Sequence, residues 1–238
     1  MKLQDAVILA PVMPAWDGGA FCAPLVTLLE EKGFSVTIVD TLNLITHEDP
    51  QSAIDVLCQT LNAQVKRPWL LVGFAMAGTL VQLLAHRLRG VAGVLSVSAP
   101  GFADEKLTQR LVRLISLLEK GELGSAMDIL HHYVLPEGSP APREKFTLPD
   151  TEKMAAIKRM LTGFSLLLKM DARADIAAYD GNYLAIVGEK SQLASWENQT
   201  HSPRTQHYYK RIPGAGMRPW NDNPAAVNAL LNEWIDTL

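Results

Sequence analysis

Two cysteines, Cys22 and Cys58, are the only thiols in 238 residues. They can form at most one bridge, so a disulfide-built scaffold is excluded, and a reducing, cytoplasmic compartment is the expected setting. A surplus of charge of either sign is also lacking: 22 Lys+Arg stand against 25 Asp+Glu, the formal net charge is −3, and the charges are interspersed along the chain. That balance speaks against a nucleic-acid partner and against a polybasic membrane patch. No uninterrupted apolar run reaches the ~18 residues of a spanning helix, and the run in the opening MKLQDAVILAP is expected to be too short for a signal sequence. What is present is a 48% hydrophobic fraction, which at so small a net charge excludes disorder. The length suits one α/β domain with room for an insertion.

The apolar residues alternate between two periods. AVILA (6–10), FSVTIV (34–39), WLLVG (69–73) and the run at 91–97 read as buried strands. Between them, 21–32, 52–65 and 76–89 carry apolar stripes at helical spacing, the first ending at Gly33. Strands alternating with helices predict right-handed crossovers and a mostly parallel sheet of about six strands with helices on both faces. From 100 to 180 the pattern is helical throughout: 107–119, 125–135, a proline-rich bend SPAP at 139–142, then 151–169. This segment is expected to be an inserted helical cap, with residues 1–99 and 181–238 forming the core. Strands resume at 183–188 and 206–212, and an amphipathic helix at 224–238 closes the chain.

In doubly wound sheets ligands bind beyond the carboxyl ends of the strands. One such end, LLVGFAMAG (70–78), runs from a buried strand into a helix through a turn of small residues. This is the setting of a nucleophile elbow, G-x-S-x-G. Here the chain resembles the α/β-hydrolase family, and its spacing is closest to the compact cofactor-free esterases, such as those that cleave pimeloyl-carrier-protein methyl esters. The resemblance covers nearly the whole chain. GFSLLLKMDARADI (163–176) leading into YLAIVGEKSQLA is similar to the end of the family's cap and its acid-bearing strand. PGAGMRPWNDNPAAVNALLNEWI (213–235) is similar to its histidine loop and last helix.

Carried over position by position, the resemblance places Ala75 where the family has its serine, Ser191 where it has the acid, and Met217 where it has the histidine. Ala77 replaces the second glycine of the motif, and Ala10-Pro11 stands at the family's His-Gly pair. Alanine has no lone pair with which to attack, and methionine cannot take a proton, so triad chemistry is not expected. Backbone donors survive such substitutions. The N–H of Met76, at a helix start, and the N–H of Val12 are the candidate oxyanion-type donors. Met13, Trp16, Phe74 and Trp220, with Val12, Met76 and Met217, are the candidate lining of an apolar pocket.

Three classes of function follow. The first is a catalytically silent member of the fold that binds a small acyl or apolar ligand, or a protein partner, in the former cleft. The second is an enzyme with non-triad chemistry: a lyase, isomerase or cyclase step that needs only preorganised dipoles, or a weak esterase or other reaction through an unfamiliar residue such as Asp17, Glu189, His131 or His132. The third is an interaction module built on the apolar cap stripe of Leu111, Leu114, Ile115, Leu117 and Leu118. A collapsed pocket, with Ala75, Ala77 and Met217 as plain core residues, is the structural alternative to the first. No cofactor is implied, and the tandem His131-His132 lacks partners at metal-ligand spacing. Asp17 before Gly18-Gly19 suits a turn, and Cys22 suits a structural thiol.

Overall fold

The computed structural model describes residues 5–64, 68–140 and 146–238. Six strands form a single sheet: β1 (Asp5–Leu9), β2 (Ser35–Val39), β3 (Trp69–Phe74), β4 (Val91–Val97), β5 (Asn182–Gly188) and β6 (His207–Ile212). Their order is β2-β1-β3-β4-β5-β6, and every neighbouring pair is parallel. The helices are α1 (Ala23–Glu31), α2 (Thr41–Leu44), α3 (Pro50–Gln64), α4 (Met76–Leu84), α5 (Glu105–Glu119), α6 (Leu123–Val134), α7 (Asp150–Lys169), α8 (Arg173–Ala178), α9 (Pro219–Asp222) and α10 (Pro224–Ile235).

Alternation along each strand divides the core in two. Val7, Leu9, Trp69 and Leu71 point to the face covered by α3, α4, α8 and the inserted helices. Ala6, Ile8, Leu70 and Val72 point to the face covered by α1 and α10. Successive side chains on a strand leave on opposite sides, so both faces of a central strand must be apolar. That is why β1 and β3 read as unbroken hydrophobic runs. The edge strand β6 departs from the rule, with exposed Tyr208, Lys210 and Arg211. Charges on an edge discourage pairing with another chain.

The insertion leaves and rejoins the core at one place. Phe102 and Asp171 form an antiparallel bridge, and the Ala172 N–H donates to the Gly101 carbonyl at 2.8 Å. Beyond that point α8 packs on α4, and Asp175 accepts from Arg87 at 2.7 Å. The chain is therefore back against the core from residue 171. The helix expected over 76–89 ends at Leu84 and passes into a turn in which the Arg87 and Leu88 N–H groups share the Leu84 carbonyl, and the Arg89 N–H and carbonyl are then taken by Asn62 and the Trp69 indole. The short helices α2 and α9 have no periodic stripe to announce them. Residue 65 of the expected second helix and residues 141–142 of the expected bend lie outside the described residues.

Candidate functional site

The strand order reverses at β1. The chain passes from β1 outward to β2 and then returns to β3 on the opposite side, and the crevice above such a reversal is where open parallel sheets take ligands. At this end of the sheet lie the loop 10–19 and the turn from β3 into α4. At the tip of that turn Ala75 has φ 48° and ψ −121°. A residue with a Cβ in this region is strained by ~1–3 kcal/mol. The turn is held by bonds from the Ala75 N–H to the Val97 carbonyl at 2.9 Å, and to the Ala75 carbonyl from Gly78 at 2.9 Å and Thr79 at 3.3 Å. It needs small neighbours: a Cβ on Gly73 would strike the Ala77 carbonyl, and one on Gly78 the Ala99 methyl. Ala75 itself is only half-buried. Met76 opens α4, and the first N–H groups of a helix have no carbonyl one turn back, which together with the dipole favours a negative charge there.

The ends of β5 and β6 bring Ser191 and Met217 together. The Ser191 hydroxyl donates to Met217 Sδ at 3.0 Å, and the Ala194 N–H approaches the same sulfur at 3.5 Å. Carboxylates nearby are already engaged. Glu189 accepts from the Gly214 N–H at 2.9 Å, and Asp222 from the Gly216 N–H at 2.8 Å. Asp17 likewise closes its own turn, accepting from Gly19 and Phe21 at 2.9 Å each. A thioether is a weak hydrogen-bond acceptor and no base, so the pair cannot relay a proton.

The helices between β4 and β5 are bonded to the loop 10–19 and to the segments that follow β5 and β6. Gly163 of α7 lies so close to Val12 that a Cβ there would overlap the valine methyl. One turn earlier, Arg159 makes two bonds to Asp40, at 3.0 and 2.7 Å, and a longer one to the Met13 carbonyl at 3.4 Å. After β6 the Met217 N–H donates to the Val134 carbonyl at 3.0 Å. Gln192 reaches the carbonyls of His132 and Leu135 at 2.8 and 3.1 Å, and the Glu137 N–H the Lys190 carbonyl at 2.8 Å.

The seven lining candidates fall into two groups. Val12, Met76 and Met217 belong to the cluster beneath the insertion, where Val12 and Met217 are half-buried and Met76 is buried. Met13 is half-buried beside Val12. Phe74 and Trp220 instead pack on the α1/α10 side, 5.9 Å apart. Phe21 continues that row edge-on to Phe74 at 5.2 Å, and the exposed Trp16 ends it at 6.5 Å from Phe21.

His131 packs edge-on to Phe146, and burial first and Arg218 second lower its pKa, while His132 is exposed. The Cys22 thiol is buried and donates to the Gly19 carbonyl at 3.3 Å. Burial, then Asp17, pushes its pKa up to about 12, so it is a poor nucleophile at neutral pH. Among the described residues no three His, Cys, Asp or Glu side chains converge as a metal site would require, and no helix is long and apolar enough to cross a membrane.

Comparison with solved structures places this architecture. A bromoperoxidase from Bacillus anthracis superposes with a TM-score of 0.76 at 16% identity, over 99% of this chain and 93% of that one. The fold is that of the α/β-hydrolases. An esterase from Exiguobacterium antarcticum has a TM-score of 0.73 at 13% identity, covering 99% and 93% of the two chains. E-2-(acetamidomethylene)succinate hydrolase gives 0.65 at 17%, with the same coverage. No family profile and no curated protein sequence matches the chain. Within that fold, the strained turn at Ala75 joins the central strand β3 to α4. The hooks Arg159–Asp40 and Gln192–His132 were invisible in the sequence, since their partners are 119 and 60 residues apart.

Proposed function

We propose that the protein is a non-catalytic member of the α/β-hydrolase fold whose crevice at Ala75 binds a small acyl or other apolar molecule. The Met76 and Val12 N–H groups would hold a carbonyl or carboxylate oxygen. Val12, Met13 and Met217 would line the apolar part, and Phe74, Trp220 and Trp16 would border it. The observation that carries this reading is the elbow itself. The backbone keeps a strained turn that presents one side chain above the sheet, and that side chain is the half-exposed methyl of Ala75. A collapsed site would leave such strain without purpose.

The hydrolytic alternative is weakened by chemistry. With Ser191 bonded to the Met217 sulfur, the acid and base positions implied by the resemblance hold neither an acid nor a base. Serine hydrolases stripped of their triad retain only ~10³–10⁴-fold over water. Non-triad catalysis through Asp17 or Glu189 is disfavoured because both carboxylates are occupied by backbone N–H groups. Flexible methionines suit an adaptable apolar site.

Three measurements test this. A fluorophosphonate probe is expected to leave the protein unlabelled, and native mass spectrometry of gently purified protein is expected to show a bound small molecule. The variant Ala75→Ser, Ser191→Asp, Met217→His is expected to gain ester hydrolysis, because the 3.0 Å contact sets its acid and base within reach of each other. Labelling of the unmodified protein would overturn the reading. So would a well-folded triple variant that hydrolyses nothing, with no ligand bound to the parent.

A further inference from the structure

A concavity lies along one face of α7, and none of Ala75, Ser191 or Met217 lines it. It is a cleft of about 400 Å³ between α7 and residues 46–48, which join α2 to α3. Small-molecule sites run from ~300 to 1,000 Å³. On α7 its lining residues are Met154, Ile157, Lys158, Leu161 and Thr162, one stripe at helical spacing. Ile157 is buried, Leu161 is half-buried, and Met154 stands at the mouth 74% exposed. An exposed, pliable thioether beside an aliphatic floor is apt for closing over an apolar chain.

The polar residues of the cleft are unequal. Glu48 is engaged by Lys169, whose ammonium lies 3.8 Å from its carboxylate and donates to its backbone carbonyl at 2.8 Å. The neighbouring Asp49 accepts from the Ser52 N–H and hydroxyl at 2.7 and 2.8 Å. Lys158 makes no ion pair among the described residues. The cleft therefore offers an aliphatic floor and one uncommitted ammonium, with His47 beside it.

We propose that this cleft binds an amphipathic monocarboxylate, with an aliphatic tail against Ile157, Leu161 and Met154 and its carboxylate on Lys158. The cleft falls in the ~300–1,000 Å³ range of small-molecule sites, which suits a medium-length chain such as decanoate as the probe. This site is independent of the crevice at Ala75, and either can fail alone.

The eight methionines supply the test. With methyl-¹³C-methionine label, Met154 reports on the cleft, while Met13, Met76 and Met217 report on the crevice. Titration with decanoate below its micellar concentration is expected to shift Met154 saturably. Lys158→Glu is expected to weaken that binding at least tenfold, and Lys158→Gln by a smaller factor. Both replace an exposed side chain, so the fold is retained. Decyltrimethylammonium, with the same tail and the opposite charge, is expected to bind at least tenfold more weakly than decanoate. An unmoved Met154, equal binding of the two detergents, or indifference to Lys158→Glu would overturn the proposal. Shifts confined to Met13, Met76 and Met217 would overturn it while leaving the crevice reading intact.

Discussion

Ala75 sits at a strained turn between β3 and α4. Its φ of 48° suits glycine, which has no Cβ to clash. Ala75→Gly would relieve ~1–3 kcal/mol of strain against ~0.4–1 kcal/mol of added freedom in the unfolded chain. The expected outcome is a stabilisation of about 1 kcal/mol, read as a higher urea midpoint at unchanged slope. A loss of stability would show that the methyl is held by contacts that outweigh its backbone. At this scale the sequence was partly legible. The small residues Gly73, Ala75, Ala77 and Gly78 announce a tight turn, and Asp17 before two glycines announces the local bonds it makes. The Ser191–Met217 contact joins positions 26 apart, and only the resemblance pairs them. No local rule does, because side-chain contacts between loops depend on how separate strands end.

Among the elements, α7 ties the insertion to the core. Its interior face packs on the cluster shared with α4, and Arg159 fastens it to Asp40 and to the Met13 carbonyl. The two charged side chains are 19% and 17% exposed, so the pair lies between the surface and buried regimes. Losing either partner is expected to cost about 1–2 kcal/mol, less than the ~3–5 kcal/mol of a fully buried pair because water still screens it. A double-mutant cycle with Arg159→Ala and Asp40→Ala should return a favourable coupling, and additive losses would assign the stability to packing alone. The stripe of α7 was readable from its periodicity. Its grip on the loop 10–19 was not, since apolar spacing reveals which face of a helix is buried and nothing about what it is buried against. Helix ends failed for a related reason: beyond Leu84 the chain passes into a turn, and distant groups then take the backbone of Arg89.

For the whole molecule, the strand alternation in 6–97 was enough to predict a parallel sheet, because only crossovers through helices connect such strands. The global property most open to measurement is the dependence of stability on pH. His207 opens β6, is buried, stacks on Tyr179 at 5.9 Å, and meets Tyr183 edge-on at 5.4 Å. Burial, with Arg204 adding repulsion, lowers its pKa, and burial does the same for His131. The folded protein therefore refuses protons that the unfolded chain accepts near pH 6.5. Stability is complete above that pH and falls as the pH drops through it towards the lowered values. The carboxylates with lowered pKa, such as Asp171, act only below the ordinary carboxylate range and stay out of this window. The urea midpoint is expected to fall between pH 7.5 and 5.5, and His207→Phe to make the fall shallower. An unchanged slope in that variant would place the proton uptake elsewhere.

The single bridge between Phe102 and Asp171 has a thermodynamic consequence for the insertion it closes. The excursion begins and ends at adjoining points, so its two ends are held together at the core. Closure entropy rises by only ~0.6 kcal/mol with each doubling of a flexible loop. The core thus tolerates a helical excursion of many lengths for nearly the same entropy. What limits its divergence is its packing and its ties to the core, such as Arg159 on Asp40 and Gln192 on the His132 carbonyl, and not the entropy of closing it.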